Sequence, residues 1–171
     1  MNLSGIDSNF EDSGYLGIKD QVAALQWIKE NISEFGGNPD NITIFGQSAG
    51  SISCMLLTVT PAAKGLFNKA IPQSGHLNLY NKPEDSAQVA ERFLELSGAK
   101  SMGELMKKSS AEIKNIYEKL GGGLAEKPME YLPTCDGKFL PKNPLQALKN
   151  GDARGIKILT GNVADEWRFW L

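Results

Sequence analysis

The residues with the clearest chemical potential are a serine framed by two glycines, in the run Gly46-Gln47-Ser48-Ala49-Gly50. This G-x-S-x-G spacing is typical of a nucleophile elbow, a strained strand-to-helix turn that points the serine hydroxyl outward. Glycine two residues to either side leaves room for the backbone segments that cross at such a turn. The pattern by itself is weak, because loops rich in serine and glycine match it by chance.

The residues around this serine have the order that an elbow requires. A turn over residues 36–40 precedes an apolar strand at Ile42 to Phe45, and an apolar helix follows the serine. We therefore predict that Ser48 is the nucleophile of an acyl-transfer reaction and that the backbone N–H of Ala49 donates to the oxyanion. A serine- and glycine-rich loop without a chemical role is the alternative.

The composition of the chain limits which binding partners and which cellular compartment we expect for the protein. The chain has 18 Lys+Arg against 20 Asp+Glu and no basic run, so we expect no nucleic-acid partner. Its apolar runs are too short to span a bilayer and its first residues lack the features of a signal peptide, so we expect a soluble, cytoplasmic protein. Cys54 and Cys135 form no metal-ligand pattern, and Cys54 is expected to be a buried free thiol.

Periodicity predicts strands that alternate with helices, which favours an α/β fold with a parallel sheet. Helices are expected near residues 17–34, 83–96, 101–120 and 143–148, and parallel strands near 42–46, 69–73 and 156–161. Pro72 lacks a backbone donor, so we expect strand pairing to stop there. The last strand, in the run Gly155 to Gly161, is apolar enough to be a buried parallel strand.

Four blocks of sequence carry a resemblance to a known family. They are Leu16 to Gln21 with Ala24, Leu25 and Trp27; Phe35 to Gly50; Lys69 to Gly75; and Asp136 to Pro141, followed by Leu159 to Asn162 and by Asp165-Glu166. In this order they resemble the type-B carboxylesterases of the α/β-hydrolase fold, a group that includes bacterial para-nitrobenzyl esterases and the cholinesterases. The resemblance implies a partial parallel sheet of about three strands, with a helical insertion at residues 77–155 that contributes to a lid or pocket wall.

The same resemblance implies roles for single residues. Ser48 matches the family's nucleophile, Glu166 matches the acid of its triad, and Ser74 matches a supporting serine near that acid; no cofactor and no metal are implied. The order of serine before acid, with the acid after a later parallel strand, agrees with this assignment. A carboxylate at Glu166 would fix the tautomer of an imidazole base and stabilise the imidazolium. From charge alone, a solvated acidic pair at a strand end is the alternative.

Several departures from the family pattern bear on activity. The only histidine is His76, which precedes the acid, and we interpret it as a surface or loop histidine rather than a substitute base. The resemblance places the catalytic histidine beyond Leu171 and a glycine pair of the oxyanion hole before the elbow. Gln47 stands where the family often has Glu, and Trp167 stands where a glycine is usual.

The sequence therefore predicts a serine carboxylic-ester hydrolase that acts on a small-molecule ester through an acyl-enzyme, here as an incomplete chain. N- and C-terminal segments of the same fold are expected to complete the site. The alternative is a non-catalytic scaffold of this fold, or an inactive truncated product. Ser48 together with Glu166 favours descent from an active enzyme.

Overall fold

The computed structural model of the chain describes residues 1–121, 131–166 and 168. Trp167 and residues 122–130 of the predicted insertion lie outside these described residues. The chain divides into two compact units. One comprises Met1–Leu16 and Tyr80–Asp136, and the other comprises Gly17–Leu79 and Gly137–Leu171.

Six α-helices and three strands form the regular structure of the described residues. In chain order they are α1 (Leu16–Asn31), β1 (Thr43–Gln47), α2 (Ala49–Val59), β2 (Lys69–Gln73), α3 (Pro83–Ser97), α4 (Met102–Leu105), α5 (Ser110–Lys119), α6 (Pro144–Asn150) and β3 (Lys157–Ile158). Short 3₁₀ turns cover Ser8–Gly14, Ile32–Phe35 and Pro61–Ala63. The elements predicted from periodicity are thus present, with bounds shifted by a few residues.

The three strands form one parallel sheet in the order β1-β2-β3. The predicted end of pairing at Pro72 is wrong, since the register continues through Gly46 opposite Pro72 and Gln47 opposite Gln73. Proline removes a single donor, and the residues on either side keep their own hydrogen bonds. The Ser48 N–H, for example, donates to the Gln73 carbonyl at 3.0 Å.

Helix α2 covers one face of this sheet and contributes more buried apolar residues than any other described element of its unit. It packs against both β1 and β2, and also contacts α6. Along β2, burial alternates so that Ala70 and Pro72 are buried while Lys69, Ile71 and Gln73 are more accessible. On α2, Ile52, Cys54, Leu56, Leu57 and Val59 are buried. Connection of β1 to β2 through a helix is the expected crossover between parallel strands.

Strand β3 is shorter and more exposed than expected. It contains Lys157 and Ile158 alone, and both are exposed. A parallel bridge from Gln73 to Gly161 extends the pairing without forming a continuous strand. The prediction of a buried strand is wrong because, among the described residues, β3 has a strand neighbour on one side alone.

The other unit is helical. Phe93, Met102, Leu105, Ile116 and Leu120 form its buried core, and α3 packs on α5. Terminal residues delimit two of its helices: Ser109 caps α5 in a capping box with Glu112, and Gly98 ends α3 with a left-handed conformation. None of the helices described here combines the length and apolar character needed to cross a membrane.

Candidate active site

Ser48 occupies the turn between β1 and α2, as the elbow pattern predicts. Its backbone has φ 54° and ψ −117°, a positive φ that a residue with a side chain rarely adopts. Two hydrogen bonds hold the turn: the Ser48 N–H donates to the Gln73 carbonyl at 3.0 Å, and the Ile52 N–H donates to the Ser48 carbonyl at 3.0 Å. The serine itself is exposed, as attack by its hydroxyl on a substrate would require.

Ala49 begins α2 directly after the serine. The first backbone N–H groups of a helix have no acceptor within the helix and lie at the positive end of its dipole. This position suits the predicted role of the Ala49 N–H as a donor to a developing oxyanion.

The two glycines of the motif are not equivalent. A β-carbon added at Gly46 would come within 2.5 Å of the carbonyl carbon and oxygen of Gly50, so the elbow requires glycine there. A β-carbon added at Gly50 would meet no atom of the described residues within 4 Å, apart from the backbone of its own helix. The expectation of a steric need for glycine on both sides is therefore confirmed at Gly46 and wrong at Gly50, whose own β-position points into open space.

Ser74, at the end of the neighbouring strand, has a positive φ like that of Ser48. It has φ 53°, is half-buried, and donates its N–H to the Gly161 carbonyl at 3.0 Å. The next residue, Gly75, lies against the elbow, since a β-carbon there would come within 3.0 Å of the Ser48 carbonyl oxygen. Ser48 and Ser74 thus follow adjacent parallel strands at the same edge of the sheet.

Glu166 follows the third strand on a short loop that Gly161 begins. Its Oε2 accepts a hydrogen bond from the Val163 N–H at 3.1 Å, and the residue is half-buried. Asp165, beside it, forms an ion pair with Arg168 at 3.1 Å. No hydrogen bond joins Glu166 to Ser74 in the described residues, and their expected approach stays a prediction.

His76 lies two residues after Ser74 and is exposed. Its interpretation as a surface histidine agrees with this position. The described residues contain no cluster of three or more histidine, cysteine, aspartate or glutamate side chains that could hold a metal ion.

Sequence reasoning missed Ser51. This residue lies in the first turn of α2 and is fully buried, and its hydroxyl has no hydrogen-bond partner among the described residues. A β-carbon at Gly75 would come within 2.6 Å of the Ser51 β-carbon, so Ser51 and Gly75 form the contact beneath the elbow. Three residues after the nucleophile, a small side chain is the one signal that could have indicated this contact.

Comparison with known proteins places this arrangement in a family. Residues 7–171 match the model of the carboxylesterase family. The para-nitrobenzyl esterase of Bacillus subtilis (strain 168) is 40% identical over 171 residues, which are 97% of this chain and 34% of that protein. An acetylcholinesterase of Leptinotarsa decemlineata is 32% identical over 94% of this chain and 27% of that protein.

Solved structures agree with the sequence comparison. A thermophilic para-nitrobenzyl esterase superposes with a TM-score of 0.91 at 38% identity, over 100% of this chain and 36% of that one. The chain therefore spans about a third of the length of the relatives that it matches.

Proposed function

The chain belongs to the carboxylesterase family and has part of its α/β-hydrolase fold, and on that basis we propose that it carries the nucleophile of a serine carboxylic-ester hydrolase. One observation carries the proposal: Ser48 is held exposed, with φ 54°, between a parallel strand and the first residue of a helix. Backbone strain at such a position is maintained where the surrounding structure and the function require it.

In the proposed reaction, the Ser48 Oγ attacks the ester carbonyl carbon while a general base removes its proton. The tetrahedral oxyanion accepts a hydrogen bond from the Ala49 N–H. Its collapse breaks the bond to the alkoxide, which takes up the proton from the base and leaves as the alcohol. Water, activated by the same base, then hydrolyses the acyl-serine and restores Ser48.

Glu166 would orient the imidazole of the base and stabilise its charged form, and Ser74 would support that acid. Because the single histidine, His76, is exposed two residues beyond Ser74, we assign the base and the remaining oxyanion donors to N- and C-terminal segments of the same fold. The substrate would be a small-molecule ester, with no cofactor. Residues 77–155 would contribute to a lid or pocket wall.

A cytoplasmic location remains part of the proposal. Cys54 and Cys135 are both buried free thiols, as expected for Cys54, and unpaired cysteines fit a reducing compartment.

A chimera tests the proposed nucleophile. This chain would replace the matching region of the Bacillus subtilis para-nitrobenzyl esterase, which is 40% identical to it, and hydrolysis of para-nitrophenyl acetate would be measured. We expect turnover that Ser48→Ala abolishes, whereas Ser33→Ala, at an exposed serine away from the elbow, leaves it unchanged. A folded chimera without activity would favour the non-catalytic scaffold, and activity that survives Ser48→Ala would remove Ser48 from the site.

A further inference from the structure

Residues 73–75, which are the last residue of β2 and the two that follow it, contact both peptide groups of the proposed nucleophile. We call them the supporting segment. On one side of Ser48, its N–H donates to the Gln73 carbonyl at 3.0 Å. On the other side, its carbonyl oxygen faces Gly75, where an added β-carbon would be 3.0 Å from that oxygen. The backbone of Ser48 therefore lies against both ends of the supporting segment.

The supporting segment has little freedom to move. Gln73 pairs with Gln47 of β1 on one side and forms a parallel bridge with Gly161 on the other. The Ser74 N–H donates to the Gly161 carbonyl at 3.0 Å, and Ser74 has a φ of 53°. Because close-packed segments transmit a displacement to their neighbours, a change of size at residue 75 would act on the nucleophile turn.

The need for glycine at position 75 arises from close approach and not from backbone conformation. Gly75 does not have a positive φ, so a left-handed backbone is not the reason for this residue type. A β-carbon on Gly75 would be 2.6 Å from the Ser51 β-carbon and 2.7 Å from the Ser51 Oγ, and Ser51 is fully buried in the first turn of α2. The small residues at positions 51 and 75 thus set how closely α2 and the supporting segment approach.

The contact with the Ser48 carbonyl also determines the direction of the proposed oxyanion donor. The Ser48 carbonyl and the Ala49 N–H belong to one peptide unit, which is planar, so the two groups rotate together. Gly75 lies against the oxygen of this unit, and the Ile52 N–H donates to the same oxygen at 3.0 Å. The position of that oxygen therefore fixes the direction in which the Ala49 N–H points.

We propose that Gly75 is a positioning residue, which lets the peptide between Ser48 and Ala49 lie against the supporting segment and so orients the Ala49 N–H toward the oxyanion. Ser51 sets the space available at this contact. The kinetic consequence rests on the proposed function, whereas the effect on the elbow does not depend on hydrolysis. Loss of one oxyanion donor costs about 100- to 1,000-fold in kcat, so a misdirected donor is expected to lose part of that rate.

The test compares Gly75→Ala with Ser51→Gly, as a double variant, against Ser51→Gly alone. Of the three atoms nearest to the added β-carbon, Ser51→Gly removes two and leaves the Ser48 carbonyl oxygen at 3.0 Å. In the chimera described above, we expect the double variant to hydrolyse para-nitrophenyl acetate with a kcat about tenfold lower and an unchanged KM. Its affinity for a trifluoromethyl ketone, which forms an oxyanion on the serine, should fall by about the same factor.

Further variants separate positioning from packing. Gly75→Ala alone should be more impaired than the double variant, because the Ser51 β-carbon at 2.6 Å forces a larger displacement. Ser51→Ala keeps that β-carbon, so adding it to Gly75→Ala should give none of the recovery that Ser51→Gly gives. Gly17→Ala should leave kcat unchanged, because Gly17 is exposed on α1 and its added β-carbon would meet no described atom within 4 Å outside its own helix backbone.

A second readout does not use hydrolysis. In the 171-residue chain, amide hydrogen exchange followed by nuclear magnetic resonance reports on the hydrogen bond from the Ile52 N–H to the Ser48 carbonyl. The Ile52 amide of the double variant should exchange at least about threefold faster than that of Ser51→Gly alone. The Thr60 N–H, which donates to the Leu57 carbonyl at the other end of α2 at 3.3 Å, should exchange at the same rate in both.

Any one of four results would overturn the inference. They are a double variant with the kcat of Ser51→Gly, a fall in kcat without a fall in affinity for the trifluoromethyl ketone, unchanged exchange of the Ile52 amide, and a recovery with Ser51→Ala as large as with Ser51→Gly. A folded chimera that is inactive with Gly75 in place would count against the proposed function instead. The exchange of the Ile52 amide would then decide the role of Gly75 by itself.

Discussion

Gly46 lies directly against the backbone of Gly50, such that a β-carbon on Gly46 would be 2.5 Å from both the carbonyl carbon and oxygen of Gly50. The converse does not hold, since a β-carbon on Gly50 would meet no described atom within 4 Å outside its own helix backbone. The symmetric G-x-S-x-G pattern therefore arises from an asymmetric contact, in which the strand glycine passes beneath the helix backbone.

Gly46→Ala is expected to be much more destabilising than Gly50→Ala. Neither the strand nor the backbone of α2 can move without breaking sheet or helix hydrogen bonds. We therefore expect Gly46→Ala to lower the free energy of unfolding by about 1–3 kcal/mol or more. Gly50→Ala adds a methyl group to a helix in open space and should be neutral or stabilising by up to about 1 kcal/mol. Urea unfolding of the two variants would measure the difference, and equal midpoints would contradict the asymmetry.

The buried hydroxyl of Ser51 leads to a different expectation. Its oxygen has no hydrogen-bond partner within the described part of the chain, so Ser51→Ala removes an uncompensated polar group and should leave stability unchanged or raise it. Thr60 is the matched control, because its buried hydroxyl donates to the Leu56 carbonyl at 2.7 Å. Thr60→Val should lower the free energy of unfolding by about 1 kcal/mol. If Ser51→Ala proves more destabilising than Thr60→Val, the Ser51 hydroxyl has a partner that the described contacts do not include.

Much of the architecture could be predicted from local sequence, whereas the exceptions depend on neighbours that are distant along the chain. The helix at Leu16–Asn31, the strand at Lys69–Gln73 and the helix at Pro144–Asn150 follow from periodicity and terminal residues. Pairing beyond Pro72 and the exposure of β3 were mispredicted, because both depend on which strands and helices adjoin them. The contact of Ser51 with Gly75 joins two elements, and its one local signal is a small side chain three residues after the nucleophile.

Alkaline pH is expected to destabilise the unit that contains Cys135. Burial, and secondarily the Asp136 carboxylate, raise the pKa of the Cys135 thiol from its ordinary 9.0 to about 12. The folded protein therefore retains the thiol proton at a pH where the unfolded chain loses it. The contribution of the protonated Cys135 thiol to the free energy of unfolding is complete below pH 9 and is lost as the pH rises toward 12. Denaturation midpoints at pH 8 and pH 10 would measure this fall in stability. In Cys135→Ala the fall should be smaller, and an undiminished fall would assign it to other groups such as Tyr15, whose pKa burial also raises.

The 171-residue chain on its own is expected to show no Ser48-dependent hydrolysis of a para-nitrophenyl ester. A serine hydroxyl is a weak nucleophile without an adjacent base, and the single histidine is exposed after β2. Ala49 would supply one oxyanion donor where the elbow geometry uses a second N–H from another loop. Release of nitrophenol would be measured for the chain, for Ser48→Ala and for His76→Gln, with Ser33→Ala as the control. All four should give the same background rate. Turnover that both Ser48→Ala and His76→Gln abolish would instead identify His76 as the base and show that this chain is an enzyme without further segments.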